Sequence, residues 1–100
     1  MTYVNVGTLG TRAGHRDELV SLLTQRSDRL KELGCIAYEV GVSEDAPDTV
    51  FVVELWESAA AHQASLEQPD VVDAIASARP LLDGTFGGFR FEVVGSPLRD

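Results

Sequence analysis

The chain has 100 residues, of which 44% are hydrophobic and 24% charged, with a formal net charge of −8. That length and composition make one ordinary globular domain. The eight basic residues form no dense cluster, so there is no positive stripe with which to displace counterions from a nucleic acid or to meet an anionic membrane.

No apolar run approaches the ~20 residues of a membrane span. Met1-Thr2-Tyr3 leads directly into a strand pattern rather than a signal peptide. Cys35 is the only cysteine, which leaves no internal disulfide and suits a reducing compartment. A soluble, cytoplasmic, single-domain protein is expected over 1–100, with its core at about 3–94 and a frayed C-terminal tail.

In chain order, YVNVGTL (3–9) alternates and is rich in β-formers, which predicts a first strand. From Gly14 to Leu33 the leucines 19, 22, 23, 30 and 33 recur at helical spacing, predicting one amphipathic helix of about five turns. Gly34 stands where a helix-ending glycine belongs. CIAYEVGVS (35–43) predicts a second strand, EDAPD (44–48) a turn, and TVFVVELWE (49–57) a third strand paired antiparallel with the second. Ser58 suits a helix cap. Pro69 opens a further helical segment that runs to about Arg79, where Pro80 stops it. FGGFRFEVV (86–94) predicts the last strand. The order β-α-β-β-α-β, with its second helix broken in two, is the ferredoxin-like α+β arrangement.

Two helices cover only one face of a four-stranded sheet. Period-two alternation puts Val50, Val52, Glu54 and Trp56 on one face of the third strand, and Phe51, Val53 and Leu55 on the other. Phe89, Phe91 and Val93 add to one face of the last strand. Both faces are too apolar for water, so a twofold homodimer, sheet against sheet, is expected, the alternative being cover by the C-terminal tail.

Motif by motif, most of the chain is uninformative about chemistry. GTLGTRAG (7–14) lies between a strand and a helix but fits neither nucleotide-binding glycine pattern. GTFGG (84–88) reads as a turn with glycines that let a strand bend. His15 and His62 are far apart and Cys35 has no neighbouring ligand type, so no metal site is expected. What remains is the segment ELWESAAAH (54–62). Trp56 and Glu54 share a strand face with each other, as Tyr3 and Asn5 do on the first strand. His62 falls on the inner side of its helix. One account makes Trp56 a core plug and His62 a satisfied buried histidine. The other gathers an indole N–H, an imidazole and an amide around a mostly apolar cavity, which is what a small aromatic ligand needs.

These features together resemble the antibiotic biosynthesis monooxygenase family. The resemblance rests on Gly14 heading the first helix, GCIAYEV (34–40), ELW (54–56), His62 six residues after the tryptophan, and PDVVDAIASARPLL (69–82). It implies a dimeric α/β barrel, and oxygenation of a phenol, quinol or polycyclic substrate to a quinone by O2 with no flavin, haem or metal cofactor. It implies His62 as the base, with Trp56 and Asn5 donating to an oxyanion, and Val52, Glu54, Tyr38 and Arg79 in contact with substrate. The pattern departs at Val52, where anthrone-oxidising members carry asparagine, and Asn5 is expected to supply that amide from another strand. The haem-degrading branch is not expected, since 64–76 holds neither Trp nor His. A non-catalytic dimeric binder of an aromatic metabolite, and a cofactor-free isomerase or lyase on the same barrel, are the alternatives.

Overall fold

Residues 1–99 are described by the structure, a computed structural model. The strands are β1 (Tyr3–Thr11), β2 (Cys35–Ser43), β3 (Ala46–Trp56) and β4 (Leu82–Glu92). The helices are α1 (Arg16–Leu23), α2 (Asp28–Glu32), α3 (Ala59–Ser65) and α4 (Pro69–Ala78), and a 3-10 turn over Arg79–Leu81 leads into β4. The strands form one antiparallel sheet in the order β2-β3-β1-β4, which is the ferredoxin-like α+β topology expected.

The helix expected over Gly14–Leu33 is two helices. After Leu23 the Thr24 hydroxyl turns back to donate to the Val20 carbonyl at 2.7 Å, and Ser27 is extended, with φ −142° and ψ 108°. Short hydroxyl side chains compete for backbone groups in this way and interrupt helices. Gly34 ends α2 at φ +104°, a left-handed conformation that costs glycine little, and so turns the chain into β2. The turn before β3 is shorter than EDAPD, because only Glu44 and Asp45 lie outside the ladder, with Ser43 paired to Ala46. Pro47 is accommodated at the register shift there.

Ser58 caps α3 as expected, its hydroxyl accepting from the Ala61 N–H at 3.0 Å. Pro69 takes the first turn of α4. β4 begins at Leu82, earlier than GTFGG implies. The glycines bend the strand instead of delaying it: Gly88 sits at φ +125°, opposite Gly7, with no room for a Cβ against the Val6 carbonyl.

The register sorts the side chains into two faces. Tyr3, Asn5, Gly7 and Leu9 of β1 pair with Trp56, Glu54, Val52 and Val50 of β3 on the helix side. Two apolar clusters form there. One joins Leu19, Val50, Val52 and Ala78, and the other joins Tyr3, Cys35 and Trp56. Burial of a side chain such as Leu19 contributes about 1.5–3 kcal/mol. On the opposite side Val53, Phe89 and Phe91 are 45%, 63% and 46% exposed, and the two phenylalanines stack with centroids 6.2 Å apart. The second apolar face expected from alternation is therefore present and uncovered by the chain's own helices. Among the described residues no helix is long and apolar enough to cross a membrane.

Candidate active site

Between the two apolar clusters one row of side chains crosses the whole sheet. Tyr38 on β2 pairs with Glu54 on β3, Glu54 with Asn5 on β1, and Asn5 with Arg90 on β4. All four are polar, and all four line a cavity of about 580 Å3. The row forms the floor. The end of α1, the α1–α2 loop, α3 and α4 form the roof, with apolar Leu22, Leu30, Val71 and Ile75 among the lining residues. Its volume falls in the range of small-molecule sites. A second groove of about 760 Å3 runs along the β2 edge past Lys31, Ile36 and Glu39. It lacks both Trp56 and His62.

The centre of the floor is the Glu54 carboxylate. One of its oxygens accepts the Asn5 amide N–H at 2.7 Å, and the other accepts the Trp56 indole N–H at 3.1 Å. Hydrogen bonds to a charged acceptor are the stronger kind, and here they fix a carboxylate on a rigid strand. Trp56 is only 1% exposed, so its indole is held by packing as well.

This arrangement corrects one expectation. Trp56 has a single N–H, and it is given to Glu54 rather than left for an oxyanion. Asn5 gives one amide hydrogen to the same carboxylate and keeps its second.

His62 enters from α3, 6% exposed, with its ring 5.5 Å from that of Tyr3 and 5.4 Å from the indole, edge-on to the latter at 66°. Its main-chain groups are engaged, since the Ser65 hydroxyl donates to the His62 carbonyl at 2.6 Å and the His62 N–H reaches Ser58. Among the described residues no protein group hydrogen-bonds its ring nitrogens, and no buried side-chain polar atom is left unpartnered. Neither ring nitrogen is therefore sealed off without a partner, and His62 is among the residues that line the cavity. The ring is sandwiched but its polar atoms are available.

Burial, and then the nearby Glu54 charge, push the Tyr38 phenol up to about 12. The same two causes push the Cys35 thiol up, partly offset by its bond to the Ala37 carbonyl, which makes it an inert core thiol rather than a nucleophile.

Asn5, Tyr38, Glu54, Trp56 and His62 thus meet at one cavity. Val52 does not: it is buried in the core beneath Leu19, one row removed from the polar floor. Arg79 does not either, as it opens the exposed 3-10 turn after α4. Arg90 was missed by sequence reasoning. Its signal was present, because Phe89 and Phe91 point outward and alternation then turns Arg90 inward. No group of three or more potential metal ligands occurs among the described residues.

A single antiparallel sheet with helices on one face, enclosing a cavity lined by a fixed carboxylate and an imidazole, defines a ferredoxin-like α+β protein with a cavity of small-molecule size. The profile of the antibiotic biosynthesis monooxygenase family matches residues 2–77, and the chain belongs to that family. A Chloroflexus aurantiacus protein assigned to this family is 32% identical over 96% of each chain, with a TM-score of 0.81. A Deinococcus radiodurans protein assigned likewise is 25% identical over 94% of each chain, with a TM-score of 0.74. SnoaB, a cofactor-independent oxygenase from Streptomyces nogalater, shares the fold at 16% identity over 96% of each chain, with a TM-score of 0.74. No curated protein is similar enough in sequence to count as a match.

Proposed function

We propose that the protein is a cofactor-independent monooxygenase that oxidises a small phenol, quinol or polycyclic hydroxyaromatic with O2. The observation that carries this is His62, a buried ring that lines the cavity with Tyr38 and Trp56 and whose nitrogens meet no protein group among the described residues. A histidine satisfied by the core would be hydrogen-bonded there. Family membership and the activity of SnoaB support the same chemistry.

In this mechanism His62 takes a proton from the methylene carbon of an anthrone-type keto tautomer of the substrate, leaving an electron-rich carbanion. That anion transfers one electron to O2, and the radical pair combines to a peroxide at the same carbon. Loss of the second C–H proton breaks the O–O bond, forms the carbonyl and releases hydroxide, which leaves as water. The substrate supplies all the electrons, so no flavin, haem or metal is required. Imidazole ordinarily titrates near neutrality, which suits it to the first step. Glu54, held by Asn5 and Trp56, accepts a substrate hydroxyl and sets its orientation, while Leu22, Leu30, Val71 and Ile75 offer apolar contact from the roof.

Two copies are proposed to pair through the uncovered face around Val53, Phe89 and Phe91, working in the cytoplasm. Oxygen-electrode measurements with an anthrone provide the test, with uptake of one O2 per anthraquinone formed expected. Saturable binding without uptake would instead make the protein a binder of aromatic metabolites, and proton exchange without uptake an isomerase.

A further inference from the structure

The polar floor is not symmetrical. Its Glu54 end is acidic, held by one donor on each oxygen from Asn5 and Trp56 and with acceptor capacity to spare. Its far end is Arg90, which lines the same cavity and forms no ion pair or side-chain hydrogen bond among the described residues. The other two arginines of the lining differ in this respect. Arg29 is tied to Asp70 at 3.3 Å and to Gln68 at 2.8 Å, and Arg26 to Asp28 at 3.5 Å. Among the described residues Arg90 is thus the one arginine of the lining whose guanidinium has no carboxylate partner.

The spacing between the two ends follows from the sheet. β1 lies between β3 and β4, so Glu54 and Arg90 stand two strand spacings apart, about 9–10 Å. Between them Asn5 keeps one amide N–H, and beyond Glu54 lies the Tyr38 phenol. A flat molecule lying along this row meets an acceptor at one end and a planar cation at the other. Guanidinium matches a carboxylate in a two-pronged fashion.

We propose that the row Glu54–Asn5–Arg90 selects a fused-ring hydroxyaromatic acid, with its hydroxyl on Glu54 and an anionic group at the opposite end on Arg90. This rests on the cavity being the substrate site of the monooxygenase, but it concerns recognition and is measurable without turnover. It also assigns Arg90 a role in specificity: it touches the substrate remote from the reacting carbon, so it acts on binding before it acts on rate.

Trp56 is the only tryptophan and lines the cavity, so its fluorescence reports occupancy. Three probes separate the two ends: 6-hydroxy-2-naphthoate, its methyl ester, and 2-naphthoate. The wild-type protein is expected to bind the hydroxy acid at least about tenfold more tightly than either of the others, the scale of one charge-assisted contact. In Arg90→Gln the preference for acid over ester should vanish, while the preference for the hydroxylated over the unhydroxylated acid persists. Arg90→Lys should restore part of the first preference. Arg90 is an exposed position on an edge strand, so the fold is expected to tolerate these changes, and circular dichroism checks that. Equal affinity of wild type for acid and ester overturns the proposal, as does an acid preference that survives Arg90→Gln. Retained acid preference together with no O2 uptake on any hydroxyaromatic would remove the monooxygenase and leave this recognition standing.

Discussion

Trp56 donates its one N–H to the carboxylate of Glu54, two residues earlier on the same strand face, at 3.1 Å. A tryptophan at a strand end is thereby more than volume. It closes the inner edge of the cavity with its ring and holds the carboxylate on the floor with its nitrogen, while Asn5 holds the other oxygen from the neighbouring strand.

Removing that carboxylate leaves both donors without their acceptor. Glu54→Ala should lower stability by about 1–3 kcal/mol, the cost of unmade buried hydrogen bonds, and Glu54→Gln by less. Trp56→Phe keeps most of the packing but leaves Glu54 held by Asn5 alone, so it should slow turnover more than it weakens substrate binding. Urea unfolding and steady-state kinetics measure the two effects. Unchanged unfolding midpoints in Glu54→Ala would show that the hydrogen bonds contribute nothing.

His62→Ala should reduce O2-dependent turnover by roughly 10²–10⁴-fold, the usual effect of losing a general base. His62→Phe separates base from packing, since a phenyl ring can still lie between Tyr3 and Trp56. It should restore stability without restoring activity, compared at matched folded fraction. An active His62→Phe protein would reduce the histidine to a spacer.

Tyr38 gives the molecule an alkaline limit. Its phenol ionises at about 12 in the folded chain against an ordinary value of 10.0. Below pH 10 both folded and unfolded forms keep the proton, and the contribution to stability is fully present. As pH rises from 10 toward 12 the unfolded chain loses its proton and the folded one does not, so stability falls across that window. Thermal melts of wild type and Tyr38→Phe over this range should diverge, with the variant falling less steeply. Parallel curves would mean that Tyr38 ionises alike in both states.

Val53 tests the proposed pairing. It stands on the outer face between Val6 of β1 and Glu39 of β2, away from the cavity. Light scattering should give the wild type about twice the 10.8 kDa chain mass, and Val53→Asp should lower that toward one chain by burying a charge in the interface. A wild type of single-chain mass would leave the outer face without its proposed cover.

Much of this was legible in the sequence because alternation is a local property. Once TVFVVELWE is a strand, Glu54 and Trp56 must share a face, and the exposed side of Phe51, Val53 and Leu55 follows. The break at Thr24 was harder, since leucine spacing resumes in phase at Leu30 and hides the interruption. Only the missing apolar residue around Arg26 and Ser27 marks it. Arg79 was set in contact with substrate by the family resemblance, but it opens a 3-10 turn with Pro80 and does not line the cavity. The partner of Asn5 could not be read at all. It depends on the β1–β3 register, which sets Asn5 against Glu54, 49 positions away.

That register carries a further consequence. Asn5 is flanked in the chain by Val4 and Val6, so each step along β1 alternates between the cavity floor and the apolar outer face. A slip of one residue against β3 would turn the valines into the cavity and set the asparagine among the outer phenylalanines. One misalignment would spoil both surfaces together, so misregistered chains would be poor at binding and poor at pairing alike. Any pairing step would then act as a proofreader for the site, enriching the assembled population in chains whose floor is correctly laid.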